Sequence, residues 1–107
     1  MKTKDLRDLV RFDEGEPRRV TLHESERLWS QVICLDRAQR LGPIGDPGSD
    51  AICVVLAGKV AAQLDKGRAR MGQWESVLIP AGSQLTLANA SREPAVVLVV
   101  VAPPPPA

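Results

Sequence analysis

The stretch Asp50-Ala51-Ile52-Cys53-Val54-Val55-Leu56-Ala57-Gly58 decides the fold. Ala51 to Ala57 is short, strongly apolar and bounded by turn residues, so it reads as a buried β-strand. Gly58-Lys59 then reads as a tight turn into a second strand, Val60 to Asp65. Lys66-Gly67 makes the next turn, leading to Arg68 to Met71. Gly72 punctuates the chain before Glu75 to Ile79, and Pro80-Ala81-Gly82 is a further turn. Leu85 to Asn89 and Ala95 to Ala102 are the last two strands.

Upstream, Arg18 to Leu22 and Leu28 to Leu35 are strand candidates. On the second of these, Trp29, Gln31 and Ile33 share one face, and Ser30, Val32 and Cys34 share the other. The alternation leaves open which face looks inward. Arg37 to Asp50 contains Gly42-Pro43, Gly45 and Pro47-Gly48, and reads as a loop or a broken strand. Thr3 can cap a short helix in which Leu6, Leu9 and Val10 fall at helical spacing, ending near Phe12.

About eight short strands joined by short turns point to an all-β, antiparallel sandwich or barrel with a short N-terminal helix. No strand–helix repeat is present to build a parallel sheet. The expected organisation is one domain over 1–107, with an arm (1–17), a barrel (18–102) and a Pro-rich tail (103–107).

Hydrophobic residues make up 44% of the 107 residues, which suffices for one core. Only Phe12, Trp29 and Trp74 are aromatic, so that core rests on Val, Leu, Ile and Ala. Fourteen basic and 13 acidic residues nearly cancel, to a formal net charge of +1. Such balance gives no electrostatic reason to expect nucleic acid or an anionic membrane as partner. The N-terminus carries no apolar signal region, and Ala95 to Ala102 falls far short of the ~20 residues of a membrane helix. A cytoplasmic location is the default expectation. Cys34 and Cys53 both sit in apolar β-like segments and read as reduced core residues.

Two segments resemble the paired motifs of the cupin superfamily. Val55-Leu56-Ala57-Gly58 is similar to the end of the first motif. Pro80-Ala81-Gly82 and Asn89 are similar to the second, with Gly72 two residues farther from the Pro than the family spacing, so an insertion or bulge is expected there. The resemblance spans roughly Arg27 to Pro103. It implies a small jelly-roll barrel, often a homodimer, with an interior pocket. In metal-binding cupins two His and a Glu of the first motif and a His of the second hold one divalent metal. Carried over, the His-x-His positions fall on Ile44 and Asp46, the Glu position on Ala51 and the last His position on Leu85. Only Asp46 has a donor, and a divalent transition metal needs several converging N, S or O donors. No metal and no other cofactor is therefore expected.

Ile44, Asp46, Ala51, Cys53, Leu85 and Leu87 are the expected pocket lining. The reading that follows is a metal-free barrel that binds a small molecule or serves as a dimeric structural module. The alternative is a metal-independent isomerase or lyase using Asp46, Asp50 or His23 as acid–base groups. His23, the only histidine, has Glu24 and Glu26 beside it, but equally suits a solvated strand end. Asp46 and Asp50 equally suit turn caps. Trp74 can cover a barrel end or a subunit interface. The Pro103 to Pro106 run cannot join a sheet and offers a recognition segment. Val96 to Val101 is apolar on both faces, so its outer face needs a cover. A second subunit is the economical cover, and the Leu6-Leu9-Val10 segment is its competitor.

Overall fold

In a computed structural model describing residues 1–106, nine strands form two antiparallel sheets. The strands are β1 Arg18–Glu24, β2 Trp29–Leu35, β3 Arg40–Ile44, β4 Asp50–Ala57, β5 Lys59–Leu64, β6 Gly67–Gly72, β7 Ser76–Ile79, β8 Leu85–Ala88 and β9 Ala95–Ala102. One sheet has five strands in the order β1-β2-β9-β4-β7, and the other has four in the order β3-β8-β5-β6. Ala107, the last residue of the Pro-rich tail, lies outside the described residues. No helix among them is long and apolar enough to cross a membrane.

Period-2 alternation builds the interior. Ala51, Cys53 and Val55 of β4, Val60 and Ala62 of β5, Leu85 and Leu87 of β8, and Val97, Val99 and Val101 of β9 belong to one core. On β2 the open question of face resolves: Ile33 and Leu35 join that core with Trp29 against it, so the odd-numbered face looks inward. Val32 and Cys34 look outward, into a second cluster.

Four expectations are corrected or narrowed. The Gly58-Lys59 turn does not close a hairpin, because β4 and β5 belong to different sheets. It is a corner, and Gly58 sits there at φ +77 where a Cβ would lie 2.5 Å from the Pro94 carbonyl oxygen. Of the two readings of the Gly/Pro-rich segment, the broken strand holds: β3 pairs with β8 and the register slips between Leu41 and Ile44. That makes nine strands where eight were expected. The N-terminal helix reduces to one 3-10 turn, Leu6–Leu9, capped by the Asp5 carboxylate rather than by Thr3. So short a segment cannot recover the cost of nucleating an α-helix. Finally, of the two readings of Trp74 the barrel-end cover is ruled out: the residue is 75% exposed at φ +74, in the turn that follows Gly72, where only a subunit interface could cover it. That turn absorbs the two extra residues. It closes through Glu75 N donating to Gly72 O (3.1 Å) and Trp74 N donating to Val55 O (2.8 Å).

The outer face of β9 has its cover in part from the arm. Leu6, Leu9 and Val10 pack on Leu22, Val32, Cys34 and Val96. Farther across the same sheet, Ile52 and Leu78 stay 41% and 59% exposed, side by side in the β4–β7 register.

Candidate functional site

The family's ligand positions come together at one end of the barrel. Ile44 and Ala51 are buried there, and Leu85 is fully buried opposite Ile44 in the β3–β8 register. A cavity of about 170 Å³ remains at this mouth. Ile44, Asp46 and Ala51 line it together with Arg19, Trp29, Ser49, Val101 and Pro105. Cys53, Leu85 and Leu87, expected to line the pocket, do not reach this cavity; they fill the packed interior. Burial pushes the Cys53 thiol up to about 12, so it stays protonated and unreactive.

The polar groups at the mouth are largely committed to the fold. Asp46 caps the loop between β3 and β4. Its Oδ2 accepts from Gly48 N (2.8 Å) and faces the Ser49 hydroxyl (3.3 Å). That hydroxyl has one proton and sits closer to the Pro103 carbonyl, which ties the tail to the rim. Asp50 Oδ1 accepts from Ala81 N (2.9 Å), fastening the start of β4 to the turn after β7. Asp46 thus caps its own turn as expected, whereas Asp50 serves a distant one. His23 is half-buried near the end of β1, and its backbone N–H donates to Ser30 Oγ (3.1 Å). Neither His23 nor Asp50 lines the mouth, so the acid–base trio is not assembled there.

Two groups that the sequence alone did not place at the site face the cavity. Arg19 Nε donates to Gln31 Oε1 (2.8 Å), and the buried Gln31 orients the guanidinium beside the mouth. Trp29 lines the cavity too, and its indole N–H donates to Thr21 Oγ1 (3.4 Å). Arg19 and Gln31 are near neighbours only through the β1–β2 register, which pairs Arg19 with Ile33 and Thr21 with Gln31. Linear spacing carries no signal for that.

A metal does not fit this site. Ile44, Ala51 and Leu85 offer no donor atom, and the Asp46 carboxylate is occupied in its turn. Among the described residues no group of three or more His, Cys, Asp or Glu side chains could hold an ion. The second motif keeps its asparagine for another purpose. Asn89 Nδ2 donates to Leu35 O (3.0 Å) and Glu93 O (2.8 Å), and Oδ1 accepts from Ser91 N (3.0 Å) and Ser91 Oγ (2.9 Å). One buried amide thereby locks the β8–β9 connection onto the end of β2.

The two-sheet barrel, the glycine corner at Gly58 and the Asn89 lock agree with the sequence, whose residues 32–101 match the family model for the cupin domain. The chain belongs to the cupin family. Solved structures overlay it closely. The protein TT1209 from Thermus thermophilus is 30% identical with a TM-score of 0.92, covering 98% of this chain and 100% of that one. The conserved SPY1581 protein of unknown function from Streptococcus pyogenes is 28% identical with a TM-score of 0.78, over 98% and 90% of the two chains. An RmlC-like cupin protein from Desulfovibrio desulfuricans is 24% identical with a TM-score of 0.86, over 97% and 98%. No curated protein matches the sequence.

Proposed function

We propose that this cupin barrel is a metal-free binding module that takes a small, ring-sized ligand at its mouth and works as a homodimer. The observation that carries the reading is the exchange at the family's ligand positions. Three of four hold apolar side chains packed into the core, yet a cavity of about 170 Å³ survives beside them. Ordinary ligand sites enclose roughly 300–1,000 Å³. An apolar cavity of roughly 150 Å³ holds a single benzene ring. Ile44, Ala51 and Val101 suit an apolar body, Trp29 a flat face, and Arg19 a carboxylate at the rim.

For the dimer, the supporting feature is the uncharged ladder Leu78–Ile52–Val100 across the outer face of β7, β4 and β9. Such a face can meet a second copy of itself without opposing like charges. Cys34 and Cys53 are both free thiols, which supports a reducing cytoplasm.

Benzoate is a suitable probe of the mouth. In a Trp74→Phe background, Trp29 is the sole indole, and its fluorescence should shift on benzoate titration. Ala51→Leu should fill the cavity and abolish the shift. No response at millimolar benzoate, or near-stoichiometric transition metal in protein purified without a metal-affinity column, overturns the reading. Leu78→Lys should convert the dimer to monomer in light scattering with the fold retained.

A further inference from the structure

The outer face of the four-stranded sheet carries a groove of about 820 Å³, which shares no lining residue with the mouth cavity. Arg40 on β3 stands on one side, and Arg68 and Arg70 on β6 on the other. Strand order fixes the span: β3 and β6 are the two edges, three inter-strand steps apart, or roughly 14 Å. Arg68 and Arg70 share one face of β6 two residues apart, roughly 7 Å along the strand.

Register explains why these guanidinium groups stand free. The residue directly across from Arg40 is Ala88, from Arg70 is Ala61, and from Arg68 is Gln63. A carboxylate at any of these positions would have paired an arginine, and one at Ala61 or Gln63 would also have relieved the Arg68–Arg70 repulsion. The chain has 13 acidic residues and places none on this floor. Among the described residues, none of the three arginines forms an ion pair. The short side chains of Ala61 and Ala88 keep the floor low between the charged walls, and Thr86 adds a hydroxyl.

We propose that this groove is an anion-binding site for a small extended polyanion bearing phosphate or carboxylate groups at both ends. Arginine forks match either group in bidentate fashion, and three of them at two walls suit a ligand with charge at each end. The volume lies in the range of small-molecule sites. Single-stranded nucleic acid is disfavoured, because no aromatic side chain lines the groove to stack a base.

Tripolyphosphate and citrate are the probes, titrated into the full chain and followed by amide chemical shifts at low and at physiological salt. Shifts should map to β3, β5, β6 and β8, and affinity should fall as salt rises. Arg68→Ala with Arg70→Ala should weaken binding at least tenfold, and Arg40→Ala severalfold, while Arg37→Ala, away from the groove, changes nothing. A preference for one probe assigns the phosphate or the carboxylate class. Circular dichroism of each variant separates lost binding from lost fold, and Ala51→Leu at the mouth should leave this binding intact. Unchanged affinity in the double variant overturns the site, as does binding by polyglutamate alone with neither small anion.

Discussion

The same two strands, β2 and β9, feed two hydrophobic clusters, and each cluster holds one cysteine. Inward, Ile33, Leu35, Val97 and Val99 join a core closed by both sheets around Cys53. Outward, Val32, Val96 and Leu98 surround Cys34 under a cover of one short turn and its flanks. The inner cluster is fixed by barrel closure, with packing partners from both sheets. The outer one depends on Leu6, Leu9 and Val10, in a segment with no α-helix to hold it. An apolar strand without alternation therefore marks two different environments, one obligatory and one removable.

The largest expected effect lies in the inner cluster. Leu85 occupies a family ligand position yet is fully buried in the core. Leu85→Ala should cost about 3–5 kcal/mol in chemical denaturation, the range for a buried leucine that leaves a cavity. A loss below about 1 kcal/mol would mean that the interior is loosely packed and that Leu85 still lines usable space. In that case the contrast between a filled interior and an open mouth collapses.

Much of this arrangement was legible in the sequence, for identifiable reasons. The alternation in Val60 to Asp65 and Leu85 to Asn89, and the Gly and Pro punctuation between them, report directly on strands and turns. The Val55-Leu56-Ala57-Gly58 and Pro80-Ala81-Gly82…Asn89 motifs were legible because each marks a backbone need: a corner with positive φ at Gly58, a turn at Gly82, a buried amide lock at Asn89. The inward face of β2 was not, since both faces are buried and periodicity is silent there. Nor was the pairing of Arg19 with Gln31, or the free standing of Arg40, Arg68 and Arg70. Those depend on cross-strand register, which is a property of the assembled sheet.

The outer cluster should yield more easily. Leu9→Asp puts a charge at the edge of the apolar cover and should cost about 1–2 kcal/mol, within the usual range for a partly buried contact. Its sharper consequence is selective exposure. A thiol reagent under native conditions should modify Cys34 faster than Cys53, because lifting the arm uncovers only Cys34. Leu9→Asp should speed Cys34 modification tenfold or more and leave Cys53 at the rate of global unfolding. Equal modification rates at both thiols in the native sequence would show that arm and barrel open as one unit, and the two clusters would then be one.

The smallest effect separates the clusters by pH. Burial raises both thiols above the ordinary value of 9.0, Cys53 to about 12. A group whose folded pKa is raised keeps its full contribution below the unfolded pKa and loses it as pH climbs toward the folded one. From about pH 9 the unfolded chain forms a thiolate that the core refuses, so stability should decline between pH 9 and 12. The Cys53 share of that slope is at most about 1.4 kcal/mol per pH unit. Denaturant midpoints at about pH 8, 9 and 10 should therefore fall more steeply for the native sequence than for Cys53→Ala. For Cys34, desolvation again raises the thiol, while the Arg11 backbone contact and the nearby Arg18 oppose it. Cys34→Ala should accordingly remove less of the slope than Cys53→Ala, and the reverse order would place the more enclosed thiol under the arm.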